Sequence, residues 1–120
     1  MSQDIENQIK QLNQKLRSVF EEQDRNQHAI QTQEQAEEDF YEWKNQNRRL
    51  FNRILENWHG DRELSHFFTN ICQEAQHIER KLTFEFENKK EVLLKERRDL
   101  SDLEKEISYQ QQQLARGGNA

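Results

Sequence analysis

An all-α fold, a long antiparallel two-helix hairpin of coiled-coil type, is the class this sequence predicts. Three observations carry it. The 120 residues contain no proline and three glycines, of which only Gly60 is interior. Apolar residues recur at alternating spacings of three and four over most of the chain, the signature of a helix with one apolar stripe. The two halves on either side of Gly60 also match in apolar and polar content when folded against each other. Sandwiches and barrels need frequent turn residues, and doubly wound sheets need Gly-rich loops and continuous apolar strands; both are missing here.

The first helix is expected over about residues 3–58. Its stripe begins Ile5, Ile9, Leu12, Leu16, Val19. Residues 21–35 are then polar except for Ala29 and Ile30, and the stripe resumes at Ala36, Phe40, Trp43, Asn47, Leu50, Ile54. Carrying the first register forward reaches Glu37 and Lys44 instead, so a slip in the seam is expected between Val19 and Trp43. The second helix is expected over about residues 62–115. Its stripe runs Leu64, Phe68, Ile71, Ala75, Ile78, Leu82, Phe86, then Lys89, Leu93, Glu96, Leu100, Leu103, Ile107, Gln110, Leu114. The two fours in Ile78, Leu82, Phe86 predict a stutter, which locally unwinds a supercoil. The glutamines of 110–113 are expected to fray, and 117–120 to form a flexible tail, so that residues 1–116 make one helical-hairpin domain.

Between the helices, Gly60 suits a left-handed helix-closing position, and Asp61 suits the N-cap of the next helix. A turn here sets Leu50 opposite Ile71, Trp43 opposite Ile78, Phe40 opposite Leu82, Val19 opposite Leu103 and Leu16 opposite Ile107. Seven of the aromatic residues lie between Phe40 and Phe68. Tyr41, Phe51, Leu55 and Phe67 sit beside the stripe, so the apolar face near the turn is wider than two helices use. That width predicts a further helical partner, which those four residues would bind: a different protein or a second copy of the chain.

Composition narrows the functions. Charged residues make up 34% and hydrophobic residues 32%, with a net charge of -5 and no basic stripe, which argues against nucleic acid as a partner. No apolar run is long enough for membrane insertion, and the first residues lack a cleavable signal, so a cytoplasmic location is expected. Cys72 is the single cysteine and has no base at helical spacing to make it a nucleophile. Glu63-x-x-His66 and Glu74-x-x-His77 have the spacing of di-iron bundle motifs, but both lie on one helix with no inward carboxylates opposite. No metal, no cofactor and no enzymatic activity are therefore expected.

The local feature with most information is Trp58-His59-Gly60, in the middle of the chain where the hairpin must turn. With that motif the chain resembles the WXG superfamily of type VII secretion proteins, short helical hairpins exported without a cleaved signal peptide. More narrowly it resembles the small helical proteins associated with LXG toxins in Gram-positive bacteria. The resemblance implies a chaperone or targeting factor that binds the helical N-terminal domain of an LXG-type toxin, with a second small helical protein as a further partner. Two features depart from the family pattern. The helices are longer than usual, and the export signature, Tyr-x-x-x-Asp/Glu after the second helix, is replaced by Tyr109 with Gln113 at the acidic position. These departures imply a subunit exported, if at all, with a partner that carries the signal. A self-associating coiled-coil scaffold is the alternative.

Overall fold

A computed structural model describes residues 2–58 and 60–118; the side chains of residues 2, 58 and 118 lie outside that description. Two helices account for nearly all of it, α1 (Ser2–Trp58) and α2 (Arg62–Gly118), each of 57 residues. They form the expected helical hairpin. α2 continues through the glutamines of 110–113 and past the expected start of the tail. Glutamine is a good helix former, and Gln111 is further held by donating from Nε2 to Asn13 Oδ1 on α1 at 2.8 Å.

The turn departs from expectation in one respect. Gly60 is not in the left-handed region, and a Cβ added there would meet nothing within 4 Å. The restart of the helix is supplied by Asp61. Its Oδ1 accepts from the backbone N–H groups of Glu63 at 3.0 Å and Leu64 at 3.3 Å, two donors that have no partner inside the helix. Its carbonyl accepts from Ser65 N, the first bond of the α2 ladder. His59 and the Trp58 side chain, the rest of the expected turn motif, lie outside the described residues.

The chain divides into two compact units. One comprises residues 1–31 and 91–120, the other 32–90. In the first, Leu12, Val19 and Ile107 form a buried cluster, with Leu16 and Leu114 packed against it. Ile30 and Leu100 are also buried. Beside them Asn26 is only 3% exposed and donates from Nδ2 to the carbonyl of Leu93 at 3.0 Å. In the second unit Gln33, 4% exposed, donates from Nε2 to the carbonyl of Phe86 at 3.2 Å. A helical carbonyl keeps a second lone pair after its own ladder bond, so both amides are satisfied without breaking α2.

These two bonds explain why the expected slip in α1 is absent. Leu12, Val19, Asn26, Gln33, Phe40, Asn47 and Ile54 recur every seven residues and are all buried or half-buried. So are Leu16, Gln23, Ile30, Glu37, Lys44 and Phe51. The heptad passes straight through the polar stretch, because Asn26 and Gln33 reach acceptors and Lys44 lays its stem along the seam with Nζ 5.1 Å from the Phe40 ring centre. On α2 the inward column Ser65, Cys72, Glu79, Phe86, Leu93, Leu100, Ile107 and Leu114 again runs seven apart, but its companion changes from Phe68, Ala75 and Leu82 to Glu104 and Gln111, so the seam shifts by one residue beyond Leu82, close to the expected stutter. Glu79 turns inward where Ile78 was expected. Glu104 and Gln111 likewise replace Leu103 and Gln110, and Glu104 Oε2 accepts from Gln23 Nε2 at 2.9 Å.

Candidate functional site

The unit of residues 32–90 holds all four residues predicted to bind a partner, and the heptad places them. Tyr41, Arg48 and Leu55 each follow an inward residue of α1 by one position, so they share one flank of the seam. Tyr41 is 62% exposed and Leu55 is exposed with it. Phe51 is itself an inward residue and half-buried, which corrects its placement beside the seam. Phe67 is exposed, edge-on to Phe68 with ring centres 5.9 Å apart. It is carried by α2 and does not join the other three.

Phe51 and Leu55 form the apolar part of a groove with Arg48, Cys72, Gln76 and Glu79. Arg48 Nη2 lies 3.9 Å from Glu79 Oε2 across the seam, and Lys90 Nζ lies 3.5 Å from Glu37 Oε2 on the same side. Both pairs are partly solvated, so each contributes modestly, at most about 1 kcal/mol. Their use is geometric. They mark one side of this unit as the side carrying Tyr41, Arg48 and Leu55 from α1 and Gln76 and Lys90 from α2.

The other side follows by elimination. Trp43 and Leu50 flank the α1 seam away from Arg48, and Ile71 and Ile78 flank the α2 seam away from Gln76 and Lys90. The four therefore line one strip. Trp43 is 39%, Ile78 49% and Leu50 53% exposed, and Ile71 is half-buried. These residues were expected inside the seam, as the pairs Trp43–Ile78 and Leu50–Ile71. The seam instead takes Lys44, Phe51 and Glu79, which leaves Trp43, Leu50 and Ile78 exposed, while Ile71 stays half-buried next to Cys72. Sequence reasoning missed the strip because the apolar spacing of Trp43 and Leu50 is equally good one position away from the true seam.

The Glu-x-x-His pairs gather no further ligands: among the described residues no group of three or more His, Cys, Asp or Glu side chains converges on one point. Among them, too, no helix is long and apolar enough to cross a membrane.

A family model described as "Protein of unknown function (DUF3958)" matches residues 7–114, nearly the whole of both helices. The chain belongs to the DUF3958 family. No curated protein and no solved structure matches it. The match spans both compact units.

Proposed function

We propose that this DUF3958 protein is a non-enzymatic helical adaptor, and that the groove beside Phe51 and Leu55 takes an amphipathic helix from a partner. The partner in this reading is the helical N-terminal domain of a type VII-secreted LXG-type toxin, which the chain stabilises or targets from the cytoplasm and with which it is exported. A second small helical protein completes the complex. The observation that carries the reading is the groove itself, apolar along Phe51 and Leu55, rimmed by Arg48 and Glu79, and continued along α1 by exposed Tyr41. A groove between two helices accepts a third along its length, with anchors at helical spacing. The resemblance carried by Trp58-His59-Gly60 supplies the identity of the partner.

The test uses the purified chain and a purified LXG-domain fragment in calorimetry and thermal melts. A complex should form and raise the melting temperature of the chain. Leu55→Glu and Tyr41→Glu, both at exposed positions, should abolish the complex while the helical circular dichroism of the chain alone is unchanged. Absence of binding by the wild type overturns the partner; binding indifferent to both substitutions overturns the site.

A further inference from the structure

In the unit of residues 32–90 each helix carries two stripes that can face inward, and the two share a column. On α1 the shared column is Phe40, Asn47 and Ile54. Its companions are Lys44 and Phe51 in the structure, with Trp43 and Leu50 available one position before. On α2 the shared column is Phe68, Ala75 and Leu82. Its companions in the structure are Ser65, Cys72 and Glu79, with Leu64, Ile71 and Ile78 available one position before. In both helices the inward companion stripe is the more polar of the two. The Glu79 side chain is 14% exposed while Ile78 beside it is 49% exposed, the reverse of what hydration favours.

The polar stripes are held inward by the Arg48–Glu79 and Lys90–Glu37 pairs and by the ring of Phe51. Pairs as solvated as these hold weakly. The alternative seam is close by. Exchanging one companion stripe for the other turns each helix about its own axis by about 50°, the angle between neighbouring inward columns. Both apolar stripes lie on the same side of the seam, so the two helices turn in opposite senses, like meshed gears. Leu64 and Ile71 are already half-buried, which shortens the path of α2. Phe51 and Glu79 roll toward the groove, an open volume of about 370 Å³ beside Cys72 and Ala75. The apolar column of α2 stops at Ile78, since Glu85 follows it, and the bond from Gln33 to the Phe86 carbonyl pins the far end of the unit.

We infer that the seam of residues 32–90 has two arrangements, the polar one observed and a rotated apolar one, and that the exchange between them gates the groove. In the rotated seam Leu50 faces Ile71 and Trp43 faces Ile78, which covers the aliphatic residues and the inner edge of the indole. The same rotation carries Tyr41, Arg48 and Leu55 away from α2 and turns Phe51 to the flank, so the groove is lost. Filling the groove and burying the strip exclude each other, and an occupant of the groove holds the polar seam in place. This coupling rests on the groove being the partner site; the two arrangements themselves do not.

The experiment is disulfide trapping on the full chain in an equilibrating glutathione buffer. Phe51→Cys reports the observed seam by bonding to the native Cys72, since Phe51 and Cys72 line one groove. Leu50→Cys with Ile71→Cys, in a Cys72→Ser background, reports the rotated seam. Both bonds should close within one chain, at monomer mass. Trp43→Glu places a carboxylate where the rotated seam is apolar; it should slow the L50C/I71C bond by about tenfold or more and leave the bond of F51C to Cys72 unchanged. Trp43→Gln repeats this arm if the glutamate lowers helical circular dichroism. Arg48→Ala with Lys90→Ala removes both ion pairs and should speed the L50C/I71C bond several-fold. Trp58→Phe leaves Trp43 as the one tryptophan, so closing L50C/I71C should shift the emission to the blue, whereas closing F51C to Cys72 should not. The inference is overturned if L50C/I71C stays open where F51C closes to Cys72, if it closes indifferently to the Trp43 and ion-pair substitutions, or if it closes with no change in emission. None of these readings involves a partner, so toxin binding through the Leu55 groove stands or falls separately.

Discussion

The two compact units differ in what they manage to bury. Among the described residues every buried apolar one, Leu12, Val19, Ile30, Leu100 and Ile107, belongs to the unit at the open end of the hairpin. The unit of residues 32–90 contains most of the aromatics and has Gln33 as its buried residue. Its rings touch one another instead: Phe40 lies 5.9 Å from Trp43 and 5.3 Å from Phe86 between ring centres. Aliphatic side chains of moderate size fit the narrow contact between two helices and are covered there. Larger rings project past it, and covering them takes a third or fourth helix. The aromatic-rich half thus carries apolar surface that two helices do not cover.

The largest expected effect separates the units by stability. Ile107→Ala truncates a buried side chain and should destabilise by about 2–5 kcal/mol in a urea titration. Leu50→Ala, at a half-exposed site, should cost well under that in the monomer. Equal losses would erase the distinction. Next is the restart of α2. Asp61→Ala leaves two backbone donors without their acceptor and should cost about 1 kcal/mol, with hydrogen exchange rising first at the start of α2.

The buried amides come third, one in each unit. Replacing Asn26 and Gln33 together by leucine should leave stability unchanged or raise it by about 1 kcal/mol, because apolar seam residues need no acceptor. The cost should appear in register. Cysteines at the observed Gln23–Glu104 pair, in a Cys72→Ser background, should cross-link cleanly in the wild-type seam and less selectively in the leucine variant. Unchanged selectivity would show that the apolar cluster alone fixes the alignment. The smallest effect is at the turn: Gly60→Ala should stabilise by about 0.4–1 kcal/mol in thermal melts, since the backbone is not left-handed and the added methyl meets nothing. A loss of stability there would restore the left-handed turn that the sequence suggested.

The hairpin was legible in the sequence because helix formation and capping are local. Spacings of three and four, the absence of proline, and Asp61 two and three residues before free N–H groups all act within one or two turns. The α1 columns of the open-end unit were readable as well, since Leu12, Leu16 and Val19 leave one apolar stripe and no competitor, whereas on α2 Glu104 and Gln111 displaced the expected Leu103 and Gln110. Near the turn the sequence offers two stripes one position apart, Trp43 with Leu50 and Lys44 with Phe51. Hydropathy favours the first. The structure takes the second, and that choice alone decides which residues form a seam and which form an exposed strip. It depends on bonds between residues distant in the chain, Gln33 to the Phe86 carbonyl and Arg48 to Glu79, which orient α1 against α2. The sequence by itself determined the helices, the restart of α2 at Asp61 and their antiparallel pairing, through interactions of short range. Tertiary structure decided the rotation of each helix about its own axis, because a polar side chain is tolerated inward only where the other helix presents an acceptor or a counter-charge.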